Sequence, residues 1–178
     1  MLIPRQTVPN LELPTLDHEK FSLTHEHPKH FSLVVFFRGL HCPLCVKYLK
    51  ELGALLPQLK ERGVNVIAIS SDDQDRAREM SAKVNAPDLR FGYALSLADA
   101  RAWGLYISTG RGKTSAGIEE PTLFIEPGVF LIRPDQTLYY GAVQTMPFAR
   151  PSFGDLLMAI DYAIDKNYPA RGEYTGAI

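Results

Sequence analysis

The sequence predicts an α/β fold: a central mixed β-sheet flanked by helices, with a small β-hairpin ahead of it. Three observations carry this. Apolar periodicity along the chain gives the order β-α-β-α-β-α-β-β-α. Leu33–Phe37 is an unbroken apolar run rich in β-branched and aromatic residues, as suits a strand covered on both faces, and Val64–Ile69, apolar but for Asn65, reads as a second strand. Val129–Ile132, the turn Pro134-Asp135-Gln136 and a return run over Leu138–Tyr140 and Ala142-Val143 read as a hairpin, which makes the sheet mixed.

In order, Val8–Leu13 and Phe21–Leu23 alternate around Asp17-His18-Glu19-Lys20 and predict the N-terminal β-hairpin extension. His25, His27 and His30 fall in the following loop, read as solvated because no regular element fixes them as metal ligands. The Leu33–Phe37 strand is broken by Gly39. Pro43 then opens a helix, a position where its fixed φ and missing N–H cost nothing. Leu44, Leu49, Leu52, Leu55, Leu56 and Leu59 form one face of that helix, which Gly63 ends.

After the Val64–Ile69 strand, Ser70-Ser71-Asp72-Asp73 is a capping signal for a polar helix to about Val84. A short strand at 91–95 and a helix over 97–103, closed by Gly104, come next. Residues 105–120 read as loop. Within them Gly110-Arg111-Gly112-Lys113-Thr114 lacks the first glycine of a phosphate-binding loop, since position 107 is Ile, and no strand precedes it; a mobile, basic loop is expected. The last helix runs from Phe153 to about Lys166 with Leu156, Leu157, Ile160 and Ile164 facing inward, and the tail 168–178 is expected to be loosely ordered.

These elements make one domain over 1–178, its core at about 8–165, in a chain of 178 residues that is 46% hydrophobic. A net charge of −1 gives no electrostatic reason to bind nucleic acid or an anionic membrane. No window approaches the roughly 18 apolar residues of a membrane span. Met1–Arg5 has no secretory pattern, so a cytoplasmic location is expected.

The chain has only two cysteines, Cys42 and Cys45, spaced Cys-x-x-Cys; in a reducing compartment this points to redox or metal chemistry more than to a structural staple. Cys42 would stand at the mouth of the helix, where unpaired N–H groups and the positive dipole end favour an anion, so its thiol pKa should fall. Arg38 and His41 are near enough in sequence to add positive charge. Cys45 follows one turn later, within reach of a disulfide. A soft metal held by Cys42, Cys45 and His41 is the competing reading; with two thiols and no second ligand pair, no metal and no cofactor are expected.

A strand feeding a Cys-Pro-x-Cys helix, then β-α-β, a hairpin and a C-terminal helix, resembles the thioredoxin-like fold. Leu33-Val34-Val35-Phe36-Phe37-Arg38-Gly39-Leu40-His41-Cys42-Pro43-Leu44-Cys45 is similar to the active site of its peroxiredoxin-like branch, the family of alkyl hydroperoxide reductases and thiol-specific antioxidant proteins. Val66–Asp72, Leu95–Leu105 and Gly128–Gln136 resemble that family's later units, so the likeness covers roughly 8–165.

The resemblance implies that Cys42 is the peroxidatic cysteine and Cys45 resolves it to an intramolecular disulfide. It further implies that Arg38, Gly39, His41, Pro43 and Pro127 surround the site. Pro127 falls where the fold keeps a cis-proline, with Pro121 as its competitor for that role. A peroxide substrate, a thioredoxin-like thiol donor and a homodimer are also implied.

Two departures bear on activity. The family's Pro and hydroxyl residue ahead of the cysteine are Val35 and Gly39 here, and its arginine before the hairpin strand is replaced by Pro127. They leave a second reading open, a thioredoxin-type thiol–disulfide oxidoreductase acting on protein disulfides. For single residues bland readings stand beside the functional ones: Arg38 as a structural ion-pair group, His41 as exposed, Trp103 and Tyr48 as core. Arg150 matches an arginine the family often has near the final helix, and a helix-entry ion pair explains it equally well.

Overall fold

The computed structural model describes residues 1–178. The chain opens with an antiparallel pair, β1 (Glu12–Leu13) and β2 (Phe21–Ser22), followed by a short 3₁₀ turn. It continues through β3 (Phe31–Phe36), α1 (Pro43–Glu61), β4 (Val64–Ile69), α2 (Gln74–Val84), β5 (Arg90–Gly92) and α3 (Leu97–Ala102). Then come β6 (Ile107–Thr109), β7 (Leu123–Ile125), β8 (Gly128–Ile132), β9 (Leu138–Val143) and α4 (Phe153–Asp165).

The central sheet has the order β5-β4-β3-β8-β9. β3 runs parallel to β4 and β4 to β5, while β8 is antiparallel to both β3 and β9. The strand that carries the Cys-x-x-Cys helix is therefore the middle one. Its period-two alternation serves two cores: Phe31, Leu33, Val35 and Phe37 pack toward α1 and α4, and Val34 and Phe36 toward Trp103, Phe130 and the β1–β2 hairpin. Burying side chains on both faces, at about 1.5–3 kcal/mol for each large aliphatic or aromatic group, fixes this strand between two cores.

The helices start where capping chemistry tells them to. Asp73 accepts from the Arg76 N–H at 2.9 Å, Ser96 from Asp99 at 3.0 Å and Ser152 from Asp155 at 3.3 Å. α1 is the exception: its N-cap is Cys42, whose side chain makes no capping bond, and Pro43 is the first helical residue.

Two expectations change. Residues 105–120 are not simply loop: β6 pairs antiparallel with β7, and between them the chain folds back on itself, with Lys113 bridging Glu119 and the Thr114 N–H donating to Ile118 O at 3.0 Å. Three-residue strands flanking a long excursion leave no periodicity to read. The Glu126–Pro127 bond is trans, as is every peptide bond, Pro121 included. Glu126 N–H donates to Tyr106 O at 2.8 Å and Pro127 O accepts from the Gln144 N–H at 2.9 Å, two bonds that anchor the trans link to the chain ahead of β6 and to the chain after β9. Beyond α4, Ala170 is buried, its carbonyl accepts from Arg5 Nε at 2.9 Å, and Tyr139 donates to Tyr168 O.

Candidate active site

Cys42 and Cys45 lie in the first turn of α1, joined by the Cys45 N–H donating to Cys42 O at 3.0 Å. Both are free thiols and both are buried, at 1% and 0% exposure. They divide the labour of one negative charge. The Cys42 thiol is held down to about 6, chiefly because the Cys45 thiol donates to it, with the Arg150 and Arg38 charges adding to the pull against the cost of burial. Burial pushes the Cys45 thiol well up, and an anionic neighbour pushes it further. The thiolate therefore belongs on Cys42.

Arg150 is the group on both sulfurs. Its Nη2 lies 3.1 Å from Cys45 Sγ and 3.7 Å from Cys42 Sγ, and Nε donates to Pro147 O at 2.9 Å. Tyr48, three residues past Cys45 on α1, lies under the guanidinium at 4.9 Å, stacks on Phe153 at 4.1 Å and donates to Pro151 O at 2.6 Å. One aromatic ring thus ties α1, the entry to α4 and the arginine together. Arg150 Nη1 is buried without a partner, an unused donor beside the thiols. No carboxylate pairs with Arg150, so the helix-entry ion pair does not form. Tyr48 and Arg150 are about a hundred residues apart in sequence, and only the likeness of Arg150 to a family arginine marks the latter.

The 38–41 loop holds the other expected residues in different roles. The Arg38 side chain turns away to a cluster of acids: Nη2 is 3.4 Å from Glu120 and Nε 3.3 Å from Glu126, with the guanidinium over Phe124 at 4.6 Å. Its structural ion-pair reading is realised, and Ser108 donates to the other Glu126 oxygen at 2.6 Å. His41 is neither exposed nor charged. Its ring is fully buried edge-on to Phe124, neither nitrogen has a partner, and burial followed by repulsion from Arg38 lowers its pKa to about 4. It adds no positive charge to Cys42. No group of three His, Cys, Asp or Glu side chains is arranged to hold a metal. Gly39 has φ +134°, and a Cβ there would lie 2.6 Å from Asp72 Oδ2.

A reduced, buried thiol pair at a helix start, with the acidic thiol under a guanidinium, has clear relatives. The chain matches the AhpC/TSA family model over residues 4–141, well over half its length.

The chain belongs to the AhpC/TSA family.

AhpC/TSA membership makes it an oxidoreductase of the thiol-dependent peroxidase kind. Solved peroxiredoxins share its fold. Peroxiredoxin 6 of Arenicola marina superposes with a TM-score of 0.77 at 19% identity, covering 94% of this chain and 76% of that one. AhpC of Mycobacterium tuberculosis gives 0.72 at 12% identity over 98% and 99%. Reduced Prx3 of Vibrio vulnificus, in complex with hydrogen peroxide, gives 0.69 at 18% over 90% and 99%. No curated protein matches in sequence. No helix is long and apolar enough to cross a membrane. Against the AhpC/TSA pattern, Gly39 leaves no room for a hydroxyl-bearing side chain, and Arg150 rather than position 127 brings the guanidinium to the sulfurs.

Proposed function

We propose that the protein reduces peroxides at Cys42, with Cys45 resolving the product. The Cys42 thiolate attacks one oxygen of ROOH, the O–O bond breaks, and the departing alkoxide takes a proton to leave as ROH, converting Cys42 to a sulfenic acid. The Cys45 thiol then attacks the Cys42 sulfur, expelling hydroxide, which leaves as water with the Cys45 proton. A donor dithiol reduces the resulting disulfide and restores both thiols. Arg38, Gly39, His41 and Pro43 frame the loop and helix start, and Pro127 stands just ahead of β8, the strand paired with β3.

The observation that carries this reading is Arg150. A cation that donates to both sulfurs and keeps Nη1 free has a donor to offer the oxygen that gains charge as the O–O bond breaks, in a dry site where such a bond is strong. Burial argues against the thioredoxin-type alternative, because cysteines exposed at 1% and 0% admit a molecule as small as hydrogen peroxide more readily than another protein's disulfide. The test is a competition on reduced protein: loss of the Cys42 thiolate is followed with hydrogen peroxide and, separately, with a protein disulfide. Faster reaction with peroxide, abolished in Cys42→Ser, supports the peroxidase. Faster reaction with the disulfide replaces it with a disulfide reductase. Mass spectrometry after one equivalent of peroxide should find the Cys42–Cys45 bond, and its absence would remove the resolving role.

A further inference from the structure

The turn that delivers Cys42 to the helix start is held from outside by one carboxylate. Asp72 follows β4 and is buried at 3% exposure. Its Oδ2 accepts the Leu40 N–H at 2.7 Å, and its Oδ1 accepts Arg76 Nε at 3.0 Å. Arg76 in turn donates through Nη2 to Glu119 O at 3.2 Å, on the excursion between β6 and β7. Asp72's own backbone is fixed too: its carbonyl accepts from Ala94 at 2.7 Å, and its N–H donates to Ser70 Oγ at 3.3 Å. The carboxyl oxygens stand 2.6 and 2.8 Å from the place a Cβ at position 39 would occupy. The next hydrogen bond in the loop is Cys42 N–H to Gly39 O at 3.1 Å. Asp72 therefore fixes Leu40, and with it the Gly39 carbonyl that receives the Cys42 amide.

We propose that Asp72 is a positioning residue for Cys42: its carboxylate takes the space a side chain at position 39 would fill and, through the Leu40 N–H, sets the turn that aims the Cys42 sulfur at Arg150. This rests on the reading of Cys42 as the attacking thiol. The carboxylate does not act on that thiol by its charge. A negative group nearby would raise the thiol pKa, so a purely electrostatic Asp72 predicts that removing it lowers that pKa, whereas a positioning Asp72 predicts the reverse.

That opposition supplies the test. Thiolate absorbance of Cys42 is titrated, and the peroxide rate measured, in wild type, Asp72→Ala and Asp72→Asn, each checked for its fold by circular dichroism. Asp72→Ala should raise the apparent Cys42 pKa by about one unit and slow the peroxide reaction at pH 7 roughly tenfold, while Asp72→Asn, which keeps an acceptor for Leu40, should stay within about threefold of wild type. An unchanged or lowered pKa in Asp72→Ala, or an Asn variant as impaired as the Ala one, overturns the proposal. A second measurement needs no variant. The Leu40 N–H, which no backbone carbonyl accepts, should be protected from hydrogen exchange in the wild-type protein; exchange at the rate of a solvated amide overturns the proposal as well. If wild-type Cys42 titrates low yet ignores peroxide, the peroxidase reading fails while the pKa comparison still judges Asp72.

Discussion

Arg150 Nη2 lies 3.1 Å from the sulfur of Cys45, a residue 105 positions earlier in the chain. The contact puts a fixed positive charge beside a buried cysteine pair whose thiolate belongs on Cys42. Such a charge is worth most where water is excluded, which is why a single side chain can dominate the chemistry.

Replacing it should show that dominance. Arg150→Met keeps much of the side-chain volume and removes every donor. Its second-order rate with hydrogen peroxide at pH 7 should fall about a hundredfold, the usual loss for one donor to a developing anion. Arg150→Lys should recover part of the thiol acidity but little of the rate, because an ammonium cannot span two sulfurs and a substrate oxygen together. Stopped-flow kinetics on both variants decides this; a Met variant within a few-fold of wild type would remove Arg150 from the reaction.

The acidity of Cys42 sets a pH profile. The thiolate is the reactive form and its proton leaves at about 6, so the rate should rise through that pH and be flat by pH 8. Alkylation of Cys42 by iodoacetamide should trace the same curve. Cys45, whose thiol is pushed up by burial, should remain unalkylated across the range. A midpoint near that of a free cysteine would mean that Cys45 and Arg150 do not stabilise the anion.

His41 should make the fold sensitive to acid. In the unfolded chain its ring binds a proton near its ordinary value of 6.5, and in the folded protein only near about 4. Between those values the unfolded state holds more protons, so this residue's contribution falls as pH falls, and levels off below the lower one. His41→Phe keeps the edge-on contact with Phe124 and removes two buried nitrogens that have no partner. The variant should equal or exceed wild type in stability at pH 7 and lose less of it by pH 5, as thermal melts at the two pH values would record.

Glu126 should be the costliest of the acids to neutralise. Its side chain is 4% exposed, that of Arg38 is 15% exposed, and the two charges are 3.3 Å apart. Glu126→Gln leaves a buried guanidinium with only Glu120, and should lower stability by about 3 kcal/mol in urea titration. Glu120→Gln, which leaves Arg38 its more buried partner, should cost less. If the two variants cost the same, the pairing is not shared in this way.

The sequence made the frame easy to read and half of the site hard. The five strands of the central sheet and all four helices carry their own signals: the largely apolar runs of β3 and β4, the Pro134-Asp135-Gln136 turn for β8–β9, and Asp73, Ser96 and Ser152 as caps. Cys42, Cys45 and Pro43 were equally legible, because a cysteine pair one turn apart behind a helix-opening proline is a local pattern. What remained hidden depends on distance along the chain. Arg150 was marked only by its likeness to a family arginine, with nothing in its neighbours to show its contact with the sulfurs, and Asp72 sits inside what reads as a capping signal for α2. His41 misled for a related reason, since its charge is decided by Phe124 and by burial, neither of which is visible from its sequence neighbours.

The Gly39–Asp72 contact also limits how this protein could change. Any side chain at position 39 meets both a positive φ and a carboxylate within 3 Å, so a hydroxyl cannot be restored there by one substitution that leaves Asp72 in place. The two positions are therefore coupled: a side chain at position 39 requires the Asp72 carboxylate to shift or to be replaced. A loop built this way is easy to keep and hard to leave, and Gly39 and Asp72 should be found together, or exchanged together, wherever this form of the active-site turn recurs.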